Sequence, residues 1–295
     1  MRIGVIGAAG RVGSSIAYSL IDRADELVLV DIAKDKVEGE FFDISQAADG
    51  KSVLSWGADP SDAQDCDIVV IPAGFPRTPE MKTRLALTEK NAPIIKDVVE
   101  KIAESSPKSL LIMISNPMDI MTYLALKVSG FGTSRVIGMG GTLDSRRLRW
   151  VLSKYFKQKV DAITIGEHGE NMIPLLSQAK IGGKPLEKKF IEENRGKILE
   201  EVKESGSIII KNKGGTWWGP AQATMDIFDA IIDGPKKIPV SVFYKNVCVG
   251  LPVEVGKKGV GKVAEPEMDD WEAARFSECL NSLGENCHWV DQWLK

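Results

Sequence analysis

Histidine is the scarcest chemistry-bearing residue in this chain, with only His168 and His288 among 295 residues. A reaction that needs a side chain titrating near neutrality must draw on one of these two. Cysteine is sparse too: Cys66, Cys248, Cys279 and Cys287 are scattered, with no CxxC pair. That argues against a disulfide framework or a zinc site and predicts reduced, buried thiols and no bound metal. No one sign of charge dominates, since 38 Lys and Arg stand against 41 Asp and Glu, and no basic stripe offers itself to a nucleic acid. Apolar runs long enough to span a bilayer, roughly 18 residues or more, are also missing, so no membrane partner is expected. The first six residues, Met1-Arg2-Ile3-Gly4-Val5-Ile6, enter a short apolar run directly. A secretion leader would carry a basic start and a longer apolar stretch, so the expected location is cytoplasmic.

What is present is a core-forming chain, 43% hydrophobic and 27% charged. Its first half alternates short β-branched runs with longer amphipathic segments. The runs Ile3–Ile6, Leu27–Val30, Ile68–Ile71 and Leu110–Ile114 are continuously apolar, as strands buried on both faces of a parallel sheet must be. Between them Val12–Ile21, Lys34–Ala48 and Arg84 to about Glu104 read as helices. This rhythm predicts a doubly wound α/β sheet. Past Met139 the rhythm changes. Leu143–Phe156 predicts a helix, Val160–Ile165 a strand, Ile191–Lys211 a long helix and Pro220–Ile232 another. Val240–Tyr244, Val247–Val249 and Val255–Val263 suggest an antiparallel sheet, and Trp271–Leu283 a final helix. With no linker of low complexity between them, the halves are expected to pack together around a site.

Gly7-Ala8-Ala9-Gly10-Arg11-Val12-Gly13 follows the first strand and opens the first helix. Glycines there permit a tight turn and let backbone approach a pyrophosphate, whose charge then rests at a helix N-terminus. Asp31 closes the second run, where a carboxylate can accept from both ribose hydroxyls. A 2′-phosphate beside it would meet repulsion on the order of a few kcal/mol, which favours NAD over NADP. Arg11 and Lys34 are close enough in sequence to soften that preference.

A nicotinamide carries hydride, so the protein must move a proton and hold the substrate. His168, in Gly166-Glu167-His168-Gly169-Glu170, lies between glycines at the end of an apolar run, a poor place for packing and a good one for a ring that meets substrate. His288 stands in the tail with no evident partner and reads as a surface residue. Asp144 and Arg147, in Leu143-Asp144-Ser145-Arg146-Arg147, are three apart and share a helix face. One can orient a histidine while the other grips a carboxylate through paired hydrogen bonds. Arg146 and Arg149 point elsewhere and read as solvated.

The motifs GAAGRVG, VDI, AGFPR, SNP, LDSRR, GEHGE and KGGTWWGPA stand in this order, and through them the chain resembles the lactate/malate dehydrogenase family, in particular its archaeal malate dehydrogenase branch. The resemblance runs from Met1 to about Val263 and fades in the tail. It implies an N-terminal Rossmann domain, residues 1–140, and a C-terminal α+β substrate domain, residues 141–295. It further implies that His168 is the acid/base, Asp144 its partner and Arg147 the anchor for the substrate's C1 carboxylate. Asn116 would contact the substrate, and Thr216 would line the pocket. Cofactor contacts would come from Gly7, Ala8, Gly10, Arg11, Val12, Gly13, Asp31, Ala73, Gly74, Asn91, Ser115 and Asn116.

Ala73 to Arg84 resembles the family's mobile lid. Lactate enzymes carry glutamine at the position of Arg77, and malate enzymes carry arginine. An arginine closing over the site gains about 1.5–3 kcal/mol from a second carboxylate, whereas with a monocarboxylate it would be buried unpaired at a cost of several kcal/mol. Arg84 matches the second lid arginine, although it stands seven residues after Arg77, one more than the family's usual spacing, and Glu80 replaces a common glycine. The hairpin near Tyr244 and Val247 is shorter than is usual, and the Trp-rich tail (Trp271, Trp289, Trp293) is unlike the family. The expected partner is a small dicarboxylate, malate or oxaloacetate, and the expected assembly is a homodimer or homotetramer. A lactate or other 2-hydroxy acid dehydrogenase, and a protein that binds NAD without turnover, are the alternatives.

Overall fold

A computed structural model describes residues 1–76 and 84–295, with Arg84 described by its backbone alone. Its first half contains β1 (Arg2–Ile6), α1 (Arg11–Leu20), β2 (Glu26–Val30), α2 (Lys34–Ala48), β3 (Val53–Gly57), β4 (Ile68–Ile71), α3 (Arg84–Ser105), β5 (Leu110–Met113), α4 (Met118–Ser129) and β6 (Val136–Gly138). The strands pair in parallel in the order β3-β2-β1-β4-β5-β6. β4 (IVVI) and β5 (LLIM) are buried at every residue, because helices cover both faces of the sheet. The strand order reverses between β1 and β4, and ligands of such sheets bind in the crevice at that reversal. The turn after β1 and the Ala73-Gly74 segment after β4 flank it.

The second half contains α5 (Gly140–Tyr155), β7 (Val160–Asp161), β8 (Thr164–Gly166), β9 (Met172–Pro174), β10 (Lys180–Ile181), β11 (Lys184–Pro185), α6 (Lys188–Lys213), α7 (Trp218–Ile232), β12 (Lys236–Tyr244), β13 (Val247–Gly256), β14 (Gly259–Val260) and α8 (Asp270–Trp293). β12 and β13 form an antiparallel hairpin, as the alternating runs suggested, but it extends the first sheet instead of starting another. Ser241 of β12 pairs with Gly138 of β6, and β13 continues to β8 and β9. One sheet therefore crosses both halves. The hairpin closes through Lys245 and Asn246, both at positive φ (46° and 66°), the geometry of a two-residue I′ turn.

Three sequence readings change. The single strand at Val160–Ile165 is two strands: Val160–Asp161 joins β10 in a small sheet, and Thr164–Gly166 joins β13. The last helix runs on to Trp293, because Phe276, Cys279, Leu283, Cys287 and Val290 keep a helical spacing of buried positions across Gly284. A glycine inside a helix costs only about 1 kcal/mol. Arg146 is partly exposed but not free: its guanidinium forms two bonds to Asp226 of α7, at 2.6 and 2.7 Å, while Arg149 donates to the Ala162 carbonyl. All four cysteines are free and buried. No described helix is long and apolar enough to cross a membrane.

Candidate active site

The turn after β1 is built by close approach. Gly7 has φ +97°, and a β-carbon on it would lie 2.8 Å from the Ala73 backbone. A side chain is therefore excluded on both grounds, and the turn packs directly on the segment after β4. Gly7 and Ala8 N–H both donate to the Val30 carbonyl, at 2.7 and 3.0 Å, which seats the turn on β2. Asp31 follows at once. Its carboxylate accepts from Ala9 N at 3.1 Å and Ala33 N at 2.9 Å, so it is anchored beside the turn and half-buried. α1 begins at Arg11 with Gly10 as its cap and no side-chain cap bond, which leaves first-turn amides for an anion. This cradle fits a dinucleotide pyrophosphate with a ribose at Asp31. Arg11 does not turn toward Asp31: its guanidinium carbon lies 4.9 Å from the centre of the Trp217 ring.

Across the crevice, Asn91 is buried and its amide is committed to backbone. Oδ1 accepts from Phe75 N at 2.7 Å, and Nδ2 donates to the carbonyls of Phe75 and Asn116, at 3.2 and 2.7 Å. It ties the segment after β4 to the loop after β5. Ser115 is buried beside it, its hydroxyl 2.8 Å from the Ile71 carbonyl. Asn116 is exposed at the end of this loop, joined to Pro117 by a cis peptide.

His168 stands just after β8. Its Nδ1 is 2.7 Å from Asp144 Oδ2. Arg147 Nη1 donates to the other oxygen, Oδ1, at 3.1 Å. The three side chains are thus joined through one carboxylate on α5, as the three-residue spacing required. The Asp144 side chain is 2% exposed, against 14% for that of His168 and 16% for that of Arg147. Burial alone would lift the Asp144 carboxyl. The His168 ring, its hydrogen bond, Arg147 and the Gly169 amide together reverse this and hold it below the ordinary carboxylate value. An aspartate kept ionised against a histidine fixes the ring's orientation and tautomer. α5 begins with Gly140 for a steric reason: a β-carbon there would lie 2.5 Å from His168 Cβ.

A second carboxylate, which sequence reasoning missed, holds the histidine from below. Asp119 on α4 is 2% exposed. Its Oδ2 accepts from His168 N at 2.8 Å and its Oδ1 from Ser241 Oγ at 2.6 Å. Burial pushes its carboxyl up to about 6, with the Glu167 charge adding to the rise and the two hydrogen bonds opposing it. Cys279 on α8 also braces the loop, its thiol accepting from Glu167 N at 3.2 Å. A signal for Asp119 was present: it is the only charged residue in the apolar run Met118–Leu126, and a charge buried on a helix needs built partners.

Thr216 lies before α7, its Oγ1 3.7 Å from where a β-carbon on Gly219 would sit, a point that Leu143 Cδ1 approaches to 3.1 Å. That places it beside α5, near the residue that precedes Asp144. Arg77 and the side chain of Arg84 lie outside the described residues. His288 is exposed on α8, its Nε2 2.8 Å from the Gln292 amide nitrogen. A groove of about 500 Å³ beneath the β12–β13 turn includes His288 and Lys245 but no member of the His168 cluster. Among the described residues no group of three or more His, Cys, Asp or Glu side chains is placed to hold a metal.

Comparison with known proteins shows the family of the chain. Residues 1–138 match the lactate/malate dehydrogenase NAD binding domain and residues 141–292 the alpha/beta C-terminal domain of the same family. An L-lactate dehydrogenase 2 of Bacillus anthracis is 36% identical, over 96% of this chain and 96% of its own. A malate dehydrogenase of Methanothermobacter thermautotrophicus is likewise 36% identical, over 100% of this chain and 98% of its own. The solved structure of malate dehydrogenase from Archaeoglobus fulgidus in complex with NADH superposes with a TM-score of 0.86 at 35% identity, covering 99% of this chain and 100% of the other. With the dinucleotide cradle on one side of the crevice and the His168–Asp144–Arg147 cluster in the other half of the chain, this protein belongs to the lactate/malate dehydrogenase family, as an NAD-dependent 2-hydroxy acid oxidoreductase.

Proposed function

We propose that the chain interconverts malate and oxaloacetate, with His168 as the acid/base, Asp144 as its orienting partner and Arg147 as the anchor of the C1 carboxylate. The observation that supports the chemistry best is the 2.7 Å bond between His168 Nδ1 and Asp144. NAD, held by Gly7 to Gly13, Asp31, Ala73, Gly74 and the Ser115-Asn116 loop, supplies the hydride acceptor when bound. In the oxidation direction, His168 takes the substrate's hydroxyl proton at Nε2. Nδ1 keeps its bond to Asp144, whose charge favours the imidazolium that forms. In reduction the same nitrogen returns the proton to the carbonyl oxygen. Arg147 meets the C1 carboxylate with paired N–H donors. The Asp144 bond steadies its guanidinium from behind. Asn91 takes a positioning role by holding the Asn116 carbonyl and Phe75, while Asn116 and Thr216 line the pocket. Asp31 turns away a 2′-phosphate, and Arg11, engaged with Trp217, does not neutralise it.

The dicarboxylate choice rests on Arg77 and Arg84. Arg77 pairs with the substrate's second carboxylate, and Arg84 polarises the reacting carbonyl. A second reading, lactate and pyruvate, is favoured by the equal 36% identity to Bacillus L-lactate dehydrogenase 2 and by a lid one residue longer than is usual. Initial rates of NADH oxidation separate them. Oxaloacetate should exceed pyruvate in kcat/KM by about a hundredfold or more, and Arg77→Gln should narrow that ratio by lowering the oxaloacetate value. A wild-type preference for pyruvate, or an equal fall on both acids, would remove the malate assignment.

A further inference from the structure

Trp217 occupies a position that its secondary structure does not explain. It is the N-cap of α7, at φ −141° and ψ −36°, with no side-chain cap bond. Caps of this kind favour Ser, Thr, Asp or Asn, whose oxygens accept from the first-turn amides, and an indole cannot do so. The ring is instead engaged by two cations. Arg11 Cζ lies 4.9 Å from its centre and Lys213 Nζ 3.3 Å. Arg11 is the first residue of α1, immediately after Gly10 of the dinucleotide turn. Lys213 is the last residue of α6. Trp217 thus joins three elements and is bonded directly to Thr216.

The helices behind this contact are tied a second time. Arg23 Nε donates to Asp229 Oδ1 at 3.0 Å. Arg11 and Arg23 are twelve residues apart in sequence, and so are Trp217 and Asp229. Arg11 opens α1 and Arg23 lies in the turn just past its end, while Trp217 caps the start of α7 and Asp229 lies near its end, so α1 and α7 lie side by side in parallel, with their N-termini at the same end. That end is the crevice. On one flank it opens to the turn Gly7–Gly13, and on the other Thr216 and Leu143, the neighbour of Asp144, both approach Gly219.

We infer that the Arg11–Trp217 stack is a latch that couples occupancy of the dinucleotide turn to the placement of Thr216 in the substrate pocket. The inference rests on the pocket role proposed for Thr216. A guanidinium can lay its face on an indole while its N–H edge meets an anion. A pyrophosphate at the turn fixes Arg11 by that edge, the stack fixes Trp217, and the chain carries the constraint one residue on to Thr216. Trp217 is therefore a positioning residue. An exposed cation–π contact corresponds to about a two- to fivefold effect on an equilibrium. Such coupling is reciprocal, so bound substrate must tighten the cofactor by the factor that bound cofactor tightens the substrate.

Isothermal titration calorimetry of NADH, alone and with saturating hydroxymalonate or oxamate as non-reducible analogues, measures this coupling. In the wild type the better analogue tightens NADH by a definite ratio. Trp217→Leu should cut that ratio about two- to fivefold while NADH alone binds with less than a twofold change. Arg11→Met should cut it similarly. Trp217→Phe, which keeps an aromatic face, should restore it. A Leu variant that keeps the wild-type ratio overturns the latch, as does a Phe variant that loses it as fully as Leu. If neither analogue tightens NADH in the wild type, the hydroxy acid reading itself fails and the latch with it.

Discussion

Two buried aspartates reach the same histidine from different helices, and they are held in opposite electrostatic states. Asp144 on α5 meets the His168 ring and Arg147, two groups that can carry positive charge, and its carboxyl is held low. Asp119 on α4 accepts hydrogen bonds from neutral donors, the His168 backbone N–H and the Ser241 hydroxyl, and burial pushes its carboxyl up to about 6, with the Glu167 charge adding to the rise and the His168 charge opposing it. Both are about equally enclosed, at 1% and 2% exposure. Enclosure therefore does not set the difference. The charge of the partner does: a cation nearby compensates desolvation, whereas neutral donors compensate it only in part. One aspartate contacts the ring itself, and the other fixes the backbone of the loop that carries it.

The sharpest break in this comparison is Asp144→Asn. The amide is nearly isosteric but cannot supply the charge that favours the imidazolium. kcat/KM for the preferred oxo acid should fall by about 10²–10⁴, with NADH affinity nearly unchanged. A loss below tenfold would show that His168 does not need this partner. Because the folded carboxyl lies below its ordinary value of 3.8, its contribution to stability is present above that value. It is lost as the pH falls through the lower folded one.

Asp119 has the opposite sign. Its folded carboxyl titrates at about 6 against an ordinary 3.8, so the folded protein binds the proton more tightly than the unfolded chain. The resulting stability is full below about pH 4 and disappears as the pH rises through about 6. Each tenfold difference in proton affinity is worth about 1.4 kcal/mol, and the change over this window is on the order of 3 kcal/mol. Asp119→Asn removes the titration. Urea denaturation of both proteins from pH 4 to 7 should therefore show the stability difference moving against the wild type by roughly that amount as pH rises. Parallel curves would mean that Asp119 keeps one protonation state throughout.

The legibility of these features follows from where each signal resides. The dinucleotide half was readable because buried parallel strands are continuous apolar runs, and β4 and β5 stand at or within a residue of the runs expected. His168, Asp144 and Arg147 were readable because histidine is scarce and a three-residue spacing on a helix fixes a common face. α4 was not, since Met118–Leu126 is apolar except at Asp119 and Thr122 and carries no charged face to reveal its period. β3 was missed because it is an edge strand that alternates exposed and half-buried residues, and β6 because it has only three residues. The role of Asp119 depends on Ser241 and His168, each many residues away in sequence. Only the folded sheet, where β12 joins β6, brings them together.

Ser241→Ala should have the smallest effect and tests whether the lower aspartate is held by partners or only enclosed. Ser241 is fully buried on β12, and its hydroxyl supplies one of the two hydrogen bonds to the Asp119 carboxylate. Alanine leaves that oxygen without its donor in a site closed to water. Loss of a bond to an ionised group costs about 1.5–3 kcal/mol, and to a neutral one about 1. The penalty should accordingly be larger at pH 7, where Asp119 is ionised, than at pH 4, where it holds a proton. The carboxyl itself should titrate above 6, because one of the bonds that lower it is gone. The His168 backbone keeps its acceptor, so kcat should change much less than in Asp144→Asn. A penalty independent of pH would show that the serine merely fills space beneath the catalytic loop.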